Sequence, residues 1–245
     1  LTIGQAEIAR AARRLKLDVV HDPIGAMPLL LTNAPRAVTV HDAIPYIYPQ
    51  TSTRLDWFIY HIWLPLALPL ANAIITVSTQ SRKDIMAHLP VKSDQVVVVP
   101  EAADRRFRPL KASIFEPVLR QYGVERPYIL YVGALESRKN LPRLLQAYAE
   151  LRQWSTRWRL VIVGARKWKF SPIFETVQQL QLEPHVTFTG YVADEHLPAF
   201  YAGADLFAFP SLYEGFSLPV LEAMACGTPV ITSNTSSLPE VAGDA

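Results

Sequence analysis

Residues Leu206–Val230 read LFAFPSLYEGFSLPVLEAMACGTPV. An apolar, aromatic run of strand character, Leu206–Phe209, gives way to a loop from Ser211 to Leu218. A helix is expected from about Pro219 to Cys226, with Gly227 as its C-terminal stop. Pro219 suits a helix's first turn, where a backbone N–H has no intrahelical partner to lose. Strand, loop and helix in this order form half of a βαβ unit, and the same alternation extends along the whole chain, as parallel α/β sheets require.

Upstream in the same half, strands are expected at Tyr128–Val132, Leu160–Val163 and Val186–Phe188, and downstream at Val230–Thr232. The helix after Asn140 places Leu141, Leu144, Leu145, Tyr148 and Leu151 on one face, with Asn140 as its expected cap. Earlier strands are expected at Asp18–His21, Ala37–His41, Ala73–Val77 and Gln95–Val99. A helix follows Ser81, whose hydroxyl and Asp84 could form a capping box. The polar, arginine-rich stretch EAADRRFRPLKAS separates the two sets of strands, and the domain boundary is set near Phe107, giving domains 1–106 and 107–245.

The chain has 245 residues, 50% hydrophobic and 19% charged, enough to bury one large core or two moderate ones. Its 24 basic and 22 acidic residues form no long basic run, so no nucleic-acid partner is expected. The single cysteine, Cys226, makes no intramolecular disulfide and reads as a small packed residue, which suits a reducing, cytoplasmic setting. Neither a Cys/His metal spacing nor an Asp-x-Asp occurs. Between Trp57 and Ser81 there is no Asp, Glu, Lys or Arg, but Pro65 and Pro69 interrupt the stretch. It reads as a buried helix of about a dozen residues followed by a strand, with peripheral contact to a membrane surface as the lesser alternative.

In open parallel sheets ligands bind beyond the carboxyl ends of the strands, so the loops after the strands are where chemistry is sought. In the stretch quoted above, Gly215 permits close approach, and the amides of Phe216, Ser217 and Leu218 sit where a helix N-terminus favours an anionic phosphate. Glu214 and Glu222, with Glu222 in the helix's first turn, would flank such a phosphate and could accept from hydroxyls on either side. A nucleotide sugar has that layout. Taken singly, either glutamate is also what a solvated loop or a helix start would carry.

EGFSLPVLEAMACGTPVITSNTSSLPEVAGDA resembles the signature segment of the retaining, nucleotide-sugar-dependent glycosyltransferases called group 1, or family 4. YILYVGALESRKNLPRLLQAYAEL, VTFTGYVADEHLPAFYAGADLFAFPSLYEGF, VTVHDAIPYIYP and IITVSTQSRKDI match in order, and GALESRKN is similar to a mannosyltransferase-like branch that assembles cell-surface polysaccharides. The resemblance implies an α/β fold of GT-B type, two Rossmann-like domains facing a cleft with the donor in the second. It also implies retaining transfer of a hexosyl group, mannose or similar, from a GDP- or UDP-linked sugar to a glycan or lipid-linked acceptor, with no cofactor and no metal.

By the same resemblance Glu214 contacts the donor sugar, Glu222 holds the ribose, and the amides of Phe216, Ser217 and Leu218 hold the diphosphate. Lys139 neutralises the leaving diphosphate, with Arg138 beside it. Gly133-Ala134 stands where the family more often has Gly-Arg. Val192 meets the base through its main chain, and His41, at the end of a strand, contacts the transferred sugar or the acceptor region. His21, His61, His88, His185 and His196 are read as structural. Arg166, Lys167, Trp168, Lys169 and Phe170 could grip a base or sugar face, although a solvated loop explains them as well. The family's opening strand and glycine-rich loop and its closing helix have no counterpart here, which implies a truncated enzyme. Glu101-Ala102 replaces a common Asn-Gly pair. A nucleotide-sugar-binding fragment without turnover and a nucleotide-sugar epimerase of the same fold stand as alternatives.

Overall fold

The structure, a computed structural model, describes residues 2–25, 33–165 and 171–243. The chain separates into two compact units, Leu1–Glu101 with Glu214–Phe216, and Ala102–Tyr213 with Ser217–Ala245.

The first unit runs α1 (Thr2–Leu15), β1 (Val20–Asp22), β2 (Arg36–Thr39), α2 (Ile44–Ile47), α3 (Arg54–Phe58), α4 (Leu64–Ala67), β3 (Ala73–Thr76), α5 (Thr79–His88) and β4 (Val96–Val98). Its four strands are all parallel, in the order β1-β2-β3-β4. Val38, Ile74 and Val96 from the sheet, and Val40 just past β2, pack with Leu64, Leu68 and Ile85 from the helices. The α5 cap is Ser78, whose hydroxyl accepts from the Ser81 amide at 2.9 Å. That displaces the expected Ser81–Asp84 box by three residues; Asp84 instead accepts from Gln80 Nε2.

The apolar stretch after Trp57 also departs from expectation. Thr53 and Asp56 form a capping box, and the helical run continues from Arg54 through a π-helical turn at Ile59–Trp63 to a 3₁₀ turn at Leu68–Leu70. Leu64 N–H reaches back to the Ile59 carbonyl, and the widened turn sits directly before Pro65, which has no N–H to continue a regular ladder. Leu64 and Leu68 are buried, whereas Leu66 is 65% and Leu70 50% exposed, so the segment is one-sided rather than a buried helix. Among the described residues no helix is long and apolar enough to cross a membrane.

The second unit contains α6 (Ala112–Gln121), β5 (Tyr128–Val132), α7 (Leu141–Trp154), β6 (Arg159–Val163), α8 (Ser171–Gln179), β7 (Val186–Gly190), α9 (Leu197–Gly203), β8 (Leu206–Phe209), α10 (Leu218–Ala225), β9 (Val230–Thr232) and α11 (Leu238–Ala242). Its parallel strands lie in the order β7-β6-β5-β8-β9, a Rossmann-like arrangement. β5 is the central strand and is buried at every position, which is why YILYV is apolar throughout rather than alternating. Helix α7 buries Leu141, Leu145 and Tyr148. Asn140 precedes it in the left-handed region, φ 56°, but its side chain makes no capping hydrogen bond; its contribution is the turn.

Candidate functional site

Chain order reverses between β5 and β8 in the second unit. The chain steps outward through β6 and β7 on one side of β5, then returns to place β8 on the other. At such a switch point the loops beyond two neighbouring strands diverge and leave a crevice at the carboxyl edge. Here those loops are Gly133–Asn140 after β5 and Pro210–Ser217 after β8.

The two loops are tied together. Leu212 N–H and the Ser211 hydroxyl donate to the Arg138 carbonyl at 2.8 and 3.2 Å, and Arg138 Nη1 donates to the Tyr213 carbonyl at 2.8 Å. Arg138 Nη2 also pairs with Glu136 Oε1 at 2.8 Å. These bonds make Arg138 a brace between loops. Lys139 follows in a 3₁₀ turn and is only 7% exposed, with Nζ 4.9 Å from the centre of the Phe209 ring. Gly133 lies just past β5, and at Gly164, past β6, an added Cβ would stand 1.9 Å from the Gly133 carbonyl oxygen, so only glycine fits there.

Ser217 caps the loop after β8 with φ 105° and ψ 72°, a strained conformation for a residue with a Cβ. Its hydroxyl is buried and has no hydrogen-bond partner. α10 starts at Leu218, one residue earlier than expected, with Pro219 in its first turn, so Glu222 falls at the start of the second turn rather than in the first. Glu222 Oε2 accepts from the Tyr201 hydroxyl at 2.7 Å. Burial pushes the Glu222 carboxyl above its ordinary range, while the Tyr201 bond and the Arg106 charge pull it back and Asp194 adds to the rise. Val192 is buried beyond β7. Cys226 is buried at the end of α10 and its thiol is pushed up to about 11 by burial, an inert group.

In the first unit, His41 lies two residues beyond β2 rather than at its last position. Its Nδ1 is 3.3 Å from Glu101 Oε1, and its Nε2 is 3.0 Å from the Pro23 carbonyl. Glu214, Gly215 and Phe216 group with this unit by packing. The Gly215 carbonyl accepts from the Ser78 and Ser81 hydroxyls at 2.6 and 2.9 Å, and a Cβ at Gly215 would meet Asp42 Cβ at 2.7 Å. Residues 166–170, proposed to grip a base or sugar, lie outside the described residues. Sequence reasoning missed Tyr201, Ser211 and Glu136 as supports of the site. Tyr201 carried no usable signal, since a tyrosine on a buried helix face reads as core. Among the described residues no cluster of three or more His, Cys, Asp or Glu could hold a metal ion.

A family model described as glycosyl transferases group 1 matches residues 120–245, and one for glycosyltransferase family 4 matches residues 3–107. These matches define a glycosyltransferase class. The chain belongs to the group 1 glycosyltransferases and has their GT-B fold. It is 38% identical over 240 residues to an O-antigen chain mannosyltransferase B of Escherichia coli, covering 97% of this chain and 62% of that protein. It is 33% identical over 180 residues to a GDP-mannose-dependent α-(1-6)-phosphatidylinositol monomannoside mannosyltransferase of Mycobacterium tuberculosis, covering 69% and 46%. Sucrose-phosphate synthase from Thermosynechococcus elongatus superposes with a TM-score of 0.76 at 25% identity, over 96% of this chain and 60% of that one. The chain thus spans less than two thirds of the length of these relatives.

Proposed function

We propose that the chain is the donor-binding portion, with part of the acceptor-side domain, of a retaining mannosyltransferase. It moves a mannosyl group from a nucleotide diphosphate sugar, GDP- or UDP-linked, to a hydroxyl of a glycan or lipid-linked acceptor. The observation that carries this reading is the pair of loops tied together at the β5/β8 switch point, with the nearly buried Lys139 on one and the unpartnered Ser217 hydroxyl on the other. A buried hydroxyl without a partner is costly, which suits a group that completes its hydrogen bonding only when an anionic ligand is present.

In this reading the main chain of Phe216, Ser217 and Leu218 and the Ser217 hydroxyl hold the diphosphate, helped by the positive end of α10. Lys139 neutralises the negative charge that grows on the leaving diphosphate, the charge work that other sugar transferases assign to a divalent ion. Glu222, oriented by Tyr201, accepts from the ribose hydroxyls. Val192 meets the base through its backbone. Glu214 and His41 are assigned to the transferred sugar. Support for mannose comes from the names of the relatives, and retention rests on the family resemblance.

The test is calorimetry on this chain. Glu222→Ala should weaken binding of the nucleoside diphosphate by about 1.5–3 kcal/mol, the worth of a hydrogen bond to a charged group. Glu214→Ala should leave diphosphate binding nearly intact and weaken only the nucleotide sugar. Lys139→Ala should reduce diphosphate affinity far more than nucleoside affinity, and added salt should partly mimic it. Equal losses for both glutamate variants with the diphosphate alone would sink this division of roles.

A further inference from the structure

Both ring nitrogens of His41 face acceptors. Nε2 is 3.0 Å from the Pro23 carbonyl, which has no proton to give, and Nδ1 is 3.3 Å from the Glu101 carboxylate. A neutral imidazole carries one N–H and could satisfy only one of them. The doubly protonated ring satisfies both, each by a charge-assisted bond or ion pair.

The two acceptors come from different elements. Pro23 directly follows β1, and Glu101 lies three residues beyond β4, so the ring is held from two sides of its loop. The charges that act on it, Glu101 and Asp42, are carboxylates. Glu101 contacts the ring and Asp42 is the next residue along the chain, both favouring the cation. Asp22 directs Oδ1 to the Ile24 amide. Glu214 is carried by the segment whose Gly215 packs against the His41 carbonyl. The Glu101 bond raises the His41 pKa above its ordinary value, with Pro23 and Asp42 acting in the same sense and burial opposing them.

We propose that Glu101 is the positioning residue for His41, holding its ring oriented and doubly protonated, so that His41 serves the transfer reaction as a fixed cation and hydrogen-bond donor rather than as a general base. The clause about the reaction rests on the assignment of His41 to the donor sugar made above; the pairing does not. An imidazolium has no lone pair with which to take a proton from an acceptor hydroxyl. What it offers is positive charge, on a side chain that remains 46% exposed.

The experiment is a nitrogen-15 histidine titration of the 245-residue chain, with the His41 resonances identified by their loss in His41→Gln. At neutral pH both ring nitrogens of His41 should resonate as N–H, and its midpoint should lie above the ordinary value of about 6.5. Glu101→Gln should lower that midpoint, and Glu101→Asp should recover part of the fall. A neutral His41 ring at pH 7 in the unaltered chain overturns the proposal without any variant having to fold. An unchanged midpoint in a folded Glu101→Gln does the same. GDP-mannose and GDP binding, followed by calorimetry across the same pH range, test the reaction clause. GDP-mannose affinity should fall as pH rises through the His41 midpoint and that fall should move with Glu101→Gln, while GDP binding stays level. A titration that shifts without any change in GDP-mannose binding leaves the pair standing and removes His41 from the donor site.

Discussion

The two sheets of this protein are built from the same βαβ grammar and have different consequences. In the first unit the strands run in simple sequential order and are three or four residues long. In the second, β5 and β6 are five residues long, β5 is buried throughout, and the order reverses at β5/β8. A sequential sheet keeps successive crossovers on the same course, whereas ligands of open parallel sheets are bound beyond the carboxyl ends of the strands where the order reverses. The second unit therefore carries the loop segments braced by Arg138, and the first carries His41 together with the Glu214–Phe216 segment. Position in the topology, more than residue type, marks out the candidate site.

The largest test of that contrast is Phe207→Ala in β8. Phe207 is fully buried and its ring meets Tyr201 and Phe209 at 5.4 and 5.7 Å. The loss should be about 3–5 kcal/mol, measured by urea unfolding. Ile74→Val, at a fully buried position of β3 in the first unit, should cost only about 0.5–1.5 kcal/mol. A loss at Phe207 no larger than that at Ile74 would mean that the Phe207 ring does not anchor the second core.

Ser217→Gly should act in the opposite direction. It relieves a positive φ of 105° and removes a buried hydroxyl with no partner, and unfolding free energy should rise by about 1–3 kcal/mol. The same variant should bind a nucleoside diphosphate less tightly. A gain in stability with no loss of affinity would sharpen the assignment by leaving the diphosphate to main-chain amides alone.

Tyr201→Phe removes the hydroxyl that Glu222 accepts from, at a cost to nucleotide affinity of about 1 kcal/mol. Its pH dependence is more telling. Burial raises the Glu222 pKa and the Tyr201 bond lowers it. If the ionised carboxylate holds the ribose, affinity falls as pH drops through that raised value. Without the tyrosine hydroxyl the fall should begin at higher pH. Binding that ignores pH in both forms would detach Glu222 from the ribose.

The smallest effect is expected at Leu66, which is 65% exposed although it lies in the most apolar stretch of the chain. Leu66→Gln should change stability by no more than about 0.5 kcal/mol, while Leu68→Ala, at a fully buried position two residues on, should cost about 2–5 kcal/mol.

The sequence by itself determined that there are nine short strands in two parallel sets, because strands buried on both faces must be apolar and the turns between them must carry glycine, proline and polar residues. Tyr128–Val132, Leu206–Phe209 and Val230–Thr232 were legible residue for residue. The motif from Glu214 to Glu222 was legible as a candidate site because a glycine loop before a helix start presents free backbone N–H groups beyond a strand's carboxyl end. What only the tertiary structure decided concerns partners distant in sequence. Tyr201 on Glu222, Arg138 on the Tyr213 carbonyl and Glu101 on His41 are 21, 75 and 60 positions apart, and no local periodicity encodes them. The exposed side of the Trp57–Leu70 stretch was hidden for the same reason. Hydrophobicity records what a side chain prefers, but only the packing of Leu64 and Leu68 against β2 and β3 settles which face of the helix receives it.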